Sequence, residues 1–334
     1  MPSSPQLTAT TSPPLFELKQ VTKSYDGTKA LDQVSFQLPA GHWIGILGES
    51  GSGKSTLLQI AARYLDASEG EVFLHNEPLP DVASQLIRSH PRIKLVHQEF
   101  HLFPNLTVRE NIAYPIRLGL PDYVEKRTRE LIELAGLEDV KDQKTKSLSG
   151  GEKQRTAIAM ALSELPDLLL LDETFAHLDG LNRSRLTRLF HLLKSKEKQS
   201  CIFVTHAPTE AMDWADNLLV LRKGKIVQTG SPLSVYEQPA SAYVAELTGN
   251  VNWIGKNRRQ FIRPEKVRVS KKQPSGAHIE AHVRHTHFRG IHWEYNCEIK
   301  KGLWWVVYRL RNDLKPGQTV FLRYSEKDVI LVES

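Results

Sequence analysis

The chain has 334 residues, 40% hydrophobic and 25% charged, proportions of an ordinary soluble globular protein with room for two domains. Its longest apolar runs, Ala157–Leu162 and Leu303–Tyr308, fall far short of the ~20 residues a membrane helix needs, so membrane association has to come through a partner. The net charge of +6 is uneven: residues 256–334 carry 17 Lys and Arg against 8 Asp and Glu, a split that points to a chain of two parts. Residues 1–13 lack the basic and apolar regions of a signal peptide and read as a disordered leader. Cys201 and Cys297 stand far apart, which argues against a structural disulfide and fits a reducing cytosol.

Leu15–Val21 and Val34–Leu38 read as strands joined by a turn at Asp26-Gly27. Tyr25, just before that turn, is either a plate for an adenine ring or ordinary turn packing. Trp43–Leu47 is apolar enough for a strand buried on both faces. It runs into Gly48, Glu49, Ser50, Gly51, Ser52, Gly53, Lys54 and Ser55, after which a helix begins at Thr56. A strand before and a helix after are the context that makes this a P-loop. Glycines let backbone N–H groups curl around phosphate oxygens, and the helix N-terminus adds partial positive charge. Lys54 brings a full charge to the β- and γ-phosphates, and the Ser55 hydroxyl is placed to ligate magnesium.

Glu71–Leu74 and Ile93–Val96 are further strands, the second ending at His97 and Gln98. Thr107 to Glu110 has capping-box spacing, and Tyr123–Ala135 is an amphipathic helix ended by Gly136. The region from about 100 to 165 therefore reads as a helical subdomain inside an α/β domain. Leu148-Ser149-Gly150-Gly151-Glu152 opens another helix, with Ala157, Ile158, Ala161 and Leu162 on one face. Its N-terminus makes a second phosphate cradle about a hundred residues from the first. The two meet around one ATP if two chains pack head to tail.

Leu168–Leu171 ends at Asp172 and Glu173, and Ile202–Val204 ends at Thr205 and His206. Four apolar runs thus deliver polar groups at their C-terminal ends, the edge of an open parallel sheet where ligands bind. Leu218–Leu221 and Ile226-Val227 form a closing hairpin, and residues 231–249 a connector. From 250 to 334 short alternating segments, separated by turns at Gly290, Gly302 and Pro316-Gly317, argue a small all-β barrel. His278, His282, His285, His287 and His292 lie there without close acidic or cysteine ligands, and read as solvated strand residues rather than a metal site.

With these motifs in order, residues 14–249 resemble the ATP-binding subunits of ABC transporters. Tyr25 falls at the A-loop, Gly48–Ser55 at Walker A, Gln98 at the Q-loop, and Ser149–Glu152 at the signature. Asp172 and Glu173 close Walker B, Asp179 belongs to the D-loop, and His206 is the H-loop histidine. Ile262 to Val267 is similar to the opening of the OB-like (TOBE-type) regulatory domain found on a subset of importer ATPases. The resemblance implies an α/β P-loop NTPase domain with a helical subdomain, followed by an OB-like barrel. It implies ATP and Mg2+ as cofactors, with Ser55, Gln98 and Asp172 around the metal and Lys54, Gln98, Glu173 and His206 as catalytic groups. Gly48 to Thr56, Ser149 to Glu152, Tyr25 and Asp179 would hold the nucleotide. Expected partners are a second ATP-binding subunit (identical or paralogous), transmembrane permease subunits and a substrate-binding protein. No nucleic acid is expected among them. The expected location is cytoplasmic, peripheral on the inner face of the cell membrane. Thr174 stands where the family usually has proline, Glu152 where glutamine is commoner, and His97 where phenylalanine is frequent. None of the three removes a catalytic group. The competing readings are a nucleic-acid-associated ATPase using the basic tail and an exporter ATPase.

Overall fold

The computed structural model describes residues 13–84, 90–97, 99–173, 180–255, 257–300 and 302–333. They divide into two compact units, 1–232 and 233–334.

In the first unit, β1 (Phe16–Tyr25) and β2 (Thr28–Leu38) form a long hairpin. Both turn residues, Asp26 (φ 47°) and Gly27 (φ 80°), have positive φ, the geometry whose twist matches paired strands. The turn thereby carries the strands well beyond their apolar cores, which is why they are longer than the sequence pattern predicts. β3 (Trp43–Leu47) leads into α1 (Lys54–Ala61), and β4 (Glu69–Leu74) and β5 (Glu77–Pro78) complete a four-stranded sheet, β2-β1-β4-β5. β6 (Ile93–Val96) is followed by three helices, α2 (Val108–Ala113), α3 (Pro121–Ala135) and α4 (Gly150–Leu162), which pack on one another. Thr107 and Glu110 form the capping box their spacing predicts, and Gly136 ends α3 with φ 60°.

β7 (Leu168–Asp172), α5 (Gly180–Ser195), β8 (Ser200–Val204), α6 (Pro208–Trp214), β9 (Asn217–Arg222) and β10 (Lys225–Gly230) complete the unit. The second sheet runs β10-β9-β3-β8-β7-β6, parallel except for β10. Every residue of β3 and β8 is buried, as strands covered on both faces must be. An aromatic cluster fixes α5 and α6 to it. Trp43 meets Phe190 edge-on at 5.1 Å, and Phe190 meets Trp214 at 5.0 Å.

The second unit begins with α7 (Pro232–Glu237) and α8 (Ala242–Thr248), tied to its strands by Arg263. That guanidinium, 2% exposed, donates to the Tyr236, Ala245 and Asn250 carbonyls and to Thr248 Oγ1. The alternating stretch Phe261–Val269 is divided between two strands, β12 (Gln260–Ile262) and β13 (Arg268–Ser270), because Pro264 opens a short 3-10 turn between them. β11 (Asn252–Ile254), β12 and β18 (Ile330–Leu331) make one sheet. β14 (Ile279–Phe288), β15 (Trp293–Lys300), β16 (Leu303–Arg309) and β17 (Thr319–Arg323) join β13 in an antiparallel five-stranded sheet, β13-β17-β14-β15-β16.

Side chains curl that sheet shut. Arg309 on edge strand β16 donates to the Val269 carbonyl on the opposite edge, β13. The Asn252 amide exchanges two 2.7 Å bonds with the backbone of Val306, joining β16 to β11. Trp305 is a core residue at 1% exposure, so the aromatic tail is not one continuous stacking surface. His285 and His287 share a strand face, stacked at 6.5 Å, and His285 also stacks on Trp304. Among the described residues no group of three or more His, Cys, Asp or Glu is placed to hold a metal. Both cysteines are buried and unpaired in disulfides, and burial pushes the Cys297 thiol up to about 12. Among the described residues no helix is long and apolar enough to cross a membrane.

Candidate functional site: a phosphate-binding sheet edge

Register aligns the strand ends. Ile46 of β3 pairs with Val204 of β8, Val204 with Asp172 of β7, and Leu171 of β7 with Val96 of β6. The Gly48–Thr56 loop, Thr205-His206, Asp172-Glu173 and His97 therefore emerge side by side along one edge, as the sequence pattern predicts. Gln98 and Asp179, as well as Thr174, lie outside the described residues.

Two of the loop's glycines, Gly48 and Gly53, are dictated by their surroundings. A Cβ on Gly48 would stand 2.4 Å from the Leu221 carbonyl oxygen, and one on Gly53 2.4 Å from that of Ala30. Gly53 also sits at φ 104°, capping α1 in a conformation L side chains rarely adopt. Lys54 is 4% exposed and folds over its own loop, donating to the carbonyls of Gly48 (3.0 Å) and Glu49 (2.8 Å). Burial lowers the Lys54 pKa, opposed by the charges of Glu173, Asp172 and Glu49. The lysine charge and the carboxylates of Asp172 and Glu173 thus share one neighbourhood.

Asp172 is raised above the usual carboxylate range by burial and by Glu173, against the pull of Lys54, the Ser55 hydroxyl and His206. Its Oδ1 is buried without a hydrogen-bond partner. An orphaned carboxylate oxygen beside a serine hydroxyl is a donor set that suits a small hard cation. Next along, Glu173 adopts φ 47°, which costs an L residue about 1–2 kcal/mol, and its amide donates to the Val204 carbonyl. The turn brings its carboxylate to His206, with Oε1 2.6 Å from Nε2. Both side chains keep access to solvent, 23% and 47% exposed.

Ser149 caps α4. Its hydroxyl donates to Glu152 Oε2 (2.7 Å) and accepts from the Glu152 amide, and its own amide donates to the same carboxylate at 2.9 Å. Burial works to raise the Glu152 pKa, but the Ser149 bonds and the charges of Arg155 and Arg185 hold it below the ordinary range. The two glycines of the turn differ. Around Gly150 nothing comes within 4 Å of where a Cβ would stand, whereas a Cβ on Gly151 would meet Asn182 at 2.4–2.8 Å. Gly150 leaves room for a ligand; Gly151 leaves room for α5. Tyr25 is 46% exposed, with the Lys23 ammonium 5.4 Å from its ring.

Sequence reading passed over Arg155, Asn182, Arg183 and Glu210, which belong to no nucleotide motif. The Thr205 hydroxyl donates to Glu210 (2.6 Å) and accepts from the Ala207 amide, and Arg183 pairs with Glu210 at 2.9 Å. An acidic residue in the first turn of a helix four residues after His206 is the one signal that marks Glu210. Between β6 and α4 a groove of about 230 Å³ opens, bordered by Tyr64, His97, Phe100, His101, Pro115 and Met160.

Residues 31–176 match the ABC transporter domain family and residues 261–332 the TOBE domain family. The chain is 32% identical over 343 aligned positions to the sulfate/thiosulfate import ATP-binding protein CysA of Halalkalibacterium halodurans, covering 91% of this chain and 95% of that one. Among solved structures, the ATP-binding cassette MJ0796, a dimer in a post-hydrolysis state bound to ADP and Pi, superposes with a TM-score of 0.58. It is 32% identical, over 65% of this chain and 98% of that one. The cbiO1 protein of Clostridium perfringens, part of the ABC transporter complex cbiONQ, gives a TM-score of 0.60 at 29% identity, over 67% of this chain and 90% of that one.

Proposed function

The chain belongs to the ABC transporter ATP-binding family, and on that premise we propose that two copies, head to tail, hydrolyse ATP to drive import through a separate permease. Each nucleotide would lie between the Gly48–Thr56 loop of one copy and Ser149–Glu152 of the other. The observation that carries this is the register-aligned edge, which sets a buried lysine, two carboxylates and a histidine beside one phosphate loop. The dimeric cassette with ADP and Pi supports the paired arrangement, and the import protein CysA supports the direction.

On this reading Lys54 leaves the Gly48 and Glu49 carbonyls for the β- and γ-phosphates, and loop amides with the α1 N-terminus hold the remaining oxygens. Ser55 and Asp172, with Gln98, would hold magnesium, which supplies charge neutralisation at those phosphates. Glu173 accepts a proton from the attacking water, a role typically worth about 10²–10⁴ in rate. His206 holds the Glu173 carboxylate in place and contacts the γ-phosphate. Ser149 and Gly150 of the second copy close the site, with Tyr25 against the adenine and Asp179 at the copy–copy boundary. The groove beside His97 takes a cytoplasmic segment of the permease, as membership of cbiO1 in a transporter complex supports. A substrate-binding protein delivers cargo from the other side, and the subunit works at the inner face of the membrane.

The test is turnover against chain concentration. Specific activity should rise steeply as dimers form, and full activity from strictly monomeric chain would reject the composite site.

A further inference from the structure

Two neighbouring residues at the start of α5 reach two different helices, α4 and α6. Asn182 fills the space left by Gly151 and accepts a hydrogen bond from Arg155 Nη1 at 3.2 Å, so it touches the helix that begins at Ser149. Arg183, the next residue, pairs at 2.9 Å with Glu210. Glu210 is 4% exposed, and its other oxygen accepts from Thr205, 3% exposed, whose hydroxyl also accepts from the Ala207 amide. The residue held between Thr205 and Ala207 is His206. The Ala207 amide is therefore held by the Thr205 hydroxyl, that hydroxyl by the Glu210 carboxylate, and that carboxylate by one guanidinium on α5.

We propose that the Arg183–Glu210 pair is a positioning device that sets His206 and joins it, through the first turn of α5, to the Ser149 helix. Neither residue needs to touch nucleotide. The pair orients the histidine that bridges to Glu173, and Asn182 makes any shift of that turn felt at Gly151 and Arg155. If His206 serves the chain's own nucleotide and Ser149 the partner's, this turn links the two sites within each copy. Burial raises the Glu210 pKa, opposed by Thr205 and Arg183, in keeping with a carboxylate that depends on its partners. A buried carboxylate with one cation is costly to strand when that cation is removed.

The inference rests on His206 acting in hydrolysis, so His206→Ala is measured first, in the full-length chain, and should lose turnover whatever Glu210 does. Retained turnover there would reject the site reading itself. Arg183→Met and the near-isosteric Glu210→Gln should each lower kcat about tenfold, within the range for residues that couple sites, and leave the affinity for a fluorescent ATP analogue unchanged. The double variant should be no worse than either single one, since both break one linkage, and Arg183→Lys should recover most of the rate. Unchanged kcat in Arg183→Met and Glu210→Gln, while His206→Ala is inactive, would overturn the proposal. Effects that multiply in the double variant, or that weaken ATP affinity as much as kcat, would overturn it too. Should Arg183→Met fold poorly, the contrast between Glu210→Gln and Arg183→Lys decides.

Discussion

His206 Nε2 lies 2.6 Å from Glu173 Oε1, although the two residues come from the ends of different strands. Parallel pairing of β7 with β8 puts Asp172 opposite Val204, and the left-handed turn at Glu173 swings its carboxylate across to the histidine. Glu173, the base in the proposed mechanism, is thus held by His206. Glu173→Gln keeps the shape and removes the base. Turnover should fall by about 10²-fold or more, with ATP affinity intact and an ATP-bound dimer accumulating. Sedimentation with and without ATP measures the second effect, and undiminished turnover would reject Glu173 as the base.

Ser149 is the cap of α4 and is satisfied by Glu152, and on the proposed reading its part in hydrolysis is played across the dimer. Ser149→Arg should abolish steady-state turnover while ATP binding to the monomer stays close to that of the parent chain, as read by equilibrium titration. Normal hydrolysis would count against the composite site.

The adjacent glycines make opposite predictions. Gly151→Ala drives a methyl into Asn182 and should cost about 1–3 kcal/mol of stability, seen as a lower unfolding temperature. Gly150→Ala has open space and should unfold with the parent chain, yet lose at least about tenfold in turnover by crowding the phosphate approach. A Gly150→Ala chain as active as the parent would remove Gly150 from the cradle.

Acid should act on the α4 cap in a defined direction. Glu152 has a folded pKa below its unfolded value despite its burial, through the Ser149 bonds and the charges of Arg155 and Arg185. Its contribution is complete above the unfolded value and is lost as pH falls through the lower, folded one. Glu152→Gln keeps the acceptor oxygen and has no charge to titrate. At neutral pH it should be less stable by about 0.3–1 kcal/mol, the worth of an anion at a helix N-terminus. The two unfolding curves should converge in acid. Scanning fluorimetry from pH 7 to pH 3 checks this, and a constant gap would mean that the carboxylate charge is not what the cap uses.

Much of this protein was readable from order alone. The P-loop announces itself because strand, glycines, lysine and helix are contiguous, and the C-terminal polar residues of β6, β7 and β8 follow apolar runs long enough to name as strands. Local capping chemistry also sufficed at Thr107, whose box partner Glu110 lies within four residues. The division of Phe261–Val269 was less visible, since Pro264 interrupts a segment whose alternation otherwise continues. Asn182 and Arg183 could not be found this way, because each is one polar or charged residue among several on α5, and Glu210 is marked only by its place in the first turn of α6.

The sequence by itself determined which groups are present and at which end of each strand they stand, because strand burial and phosphate-loop geometry are short-range properties. Only the tertiary structure decided which of those ends are neighbours, that Glu173 meets His206, that Gly151 lies against Asn182, and that Arg309 and Asn252 close the second unit's sheet. Those facts depend on strand order and on contacts between residues far apart in the chain, and no local periodicity encodes them.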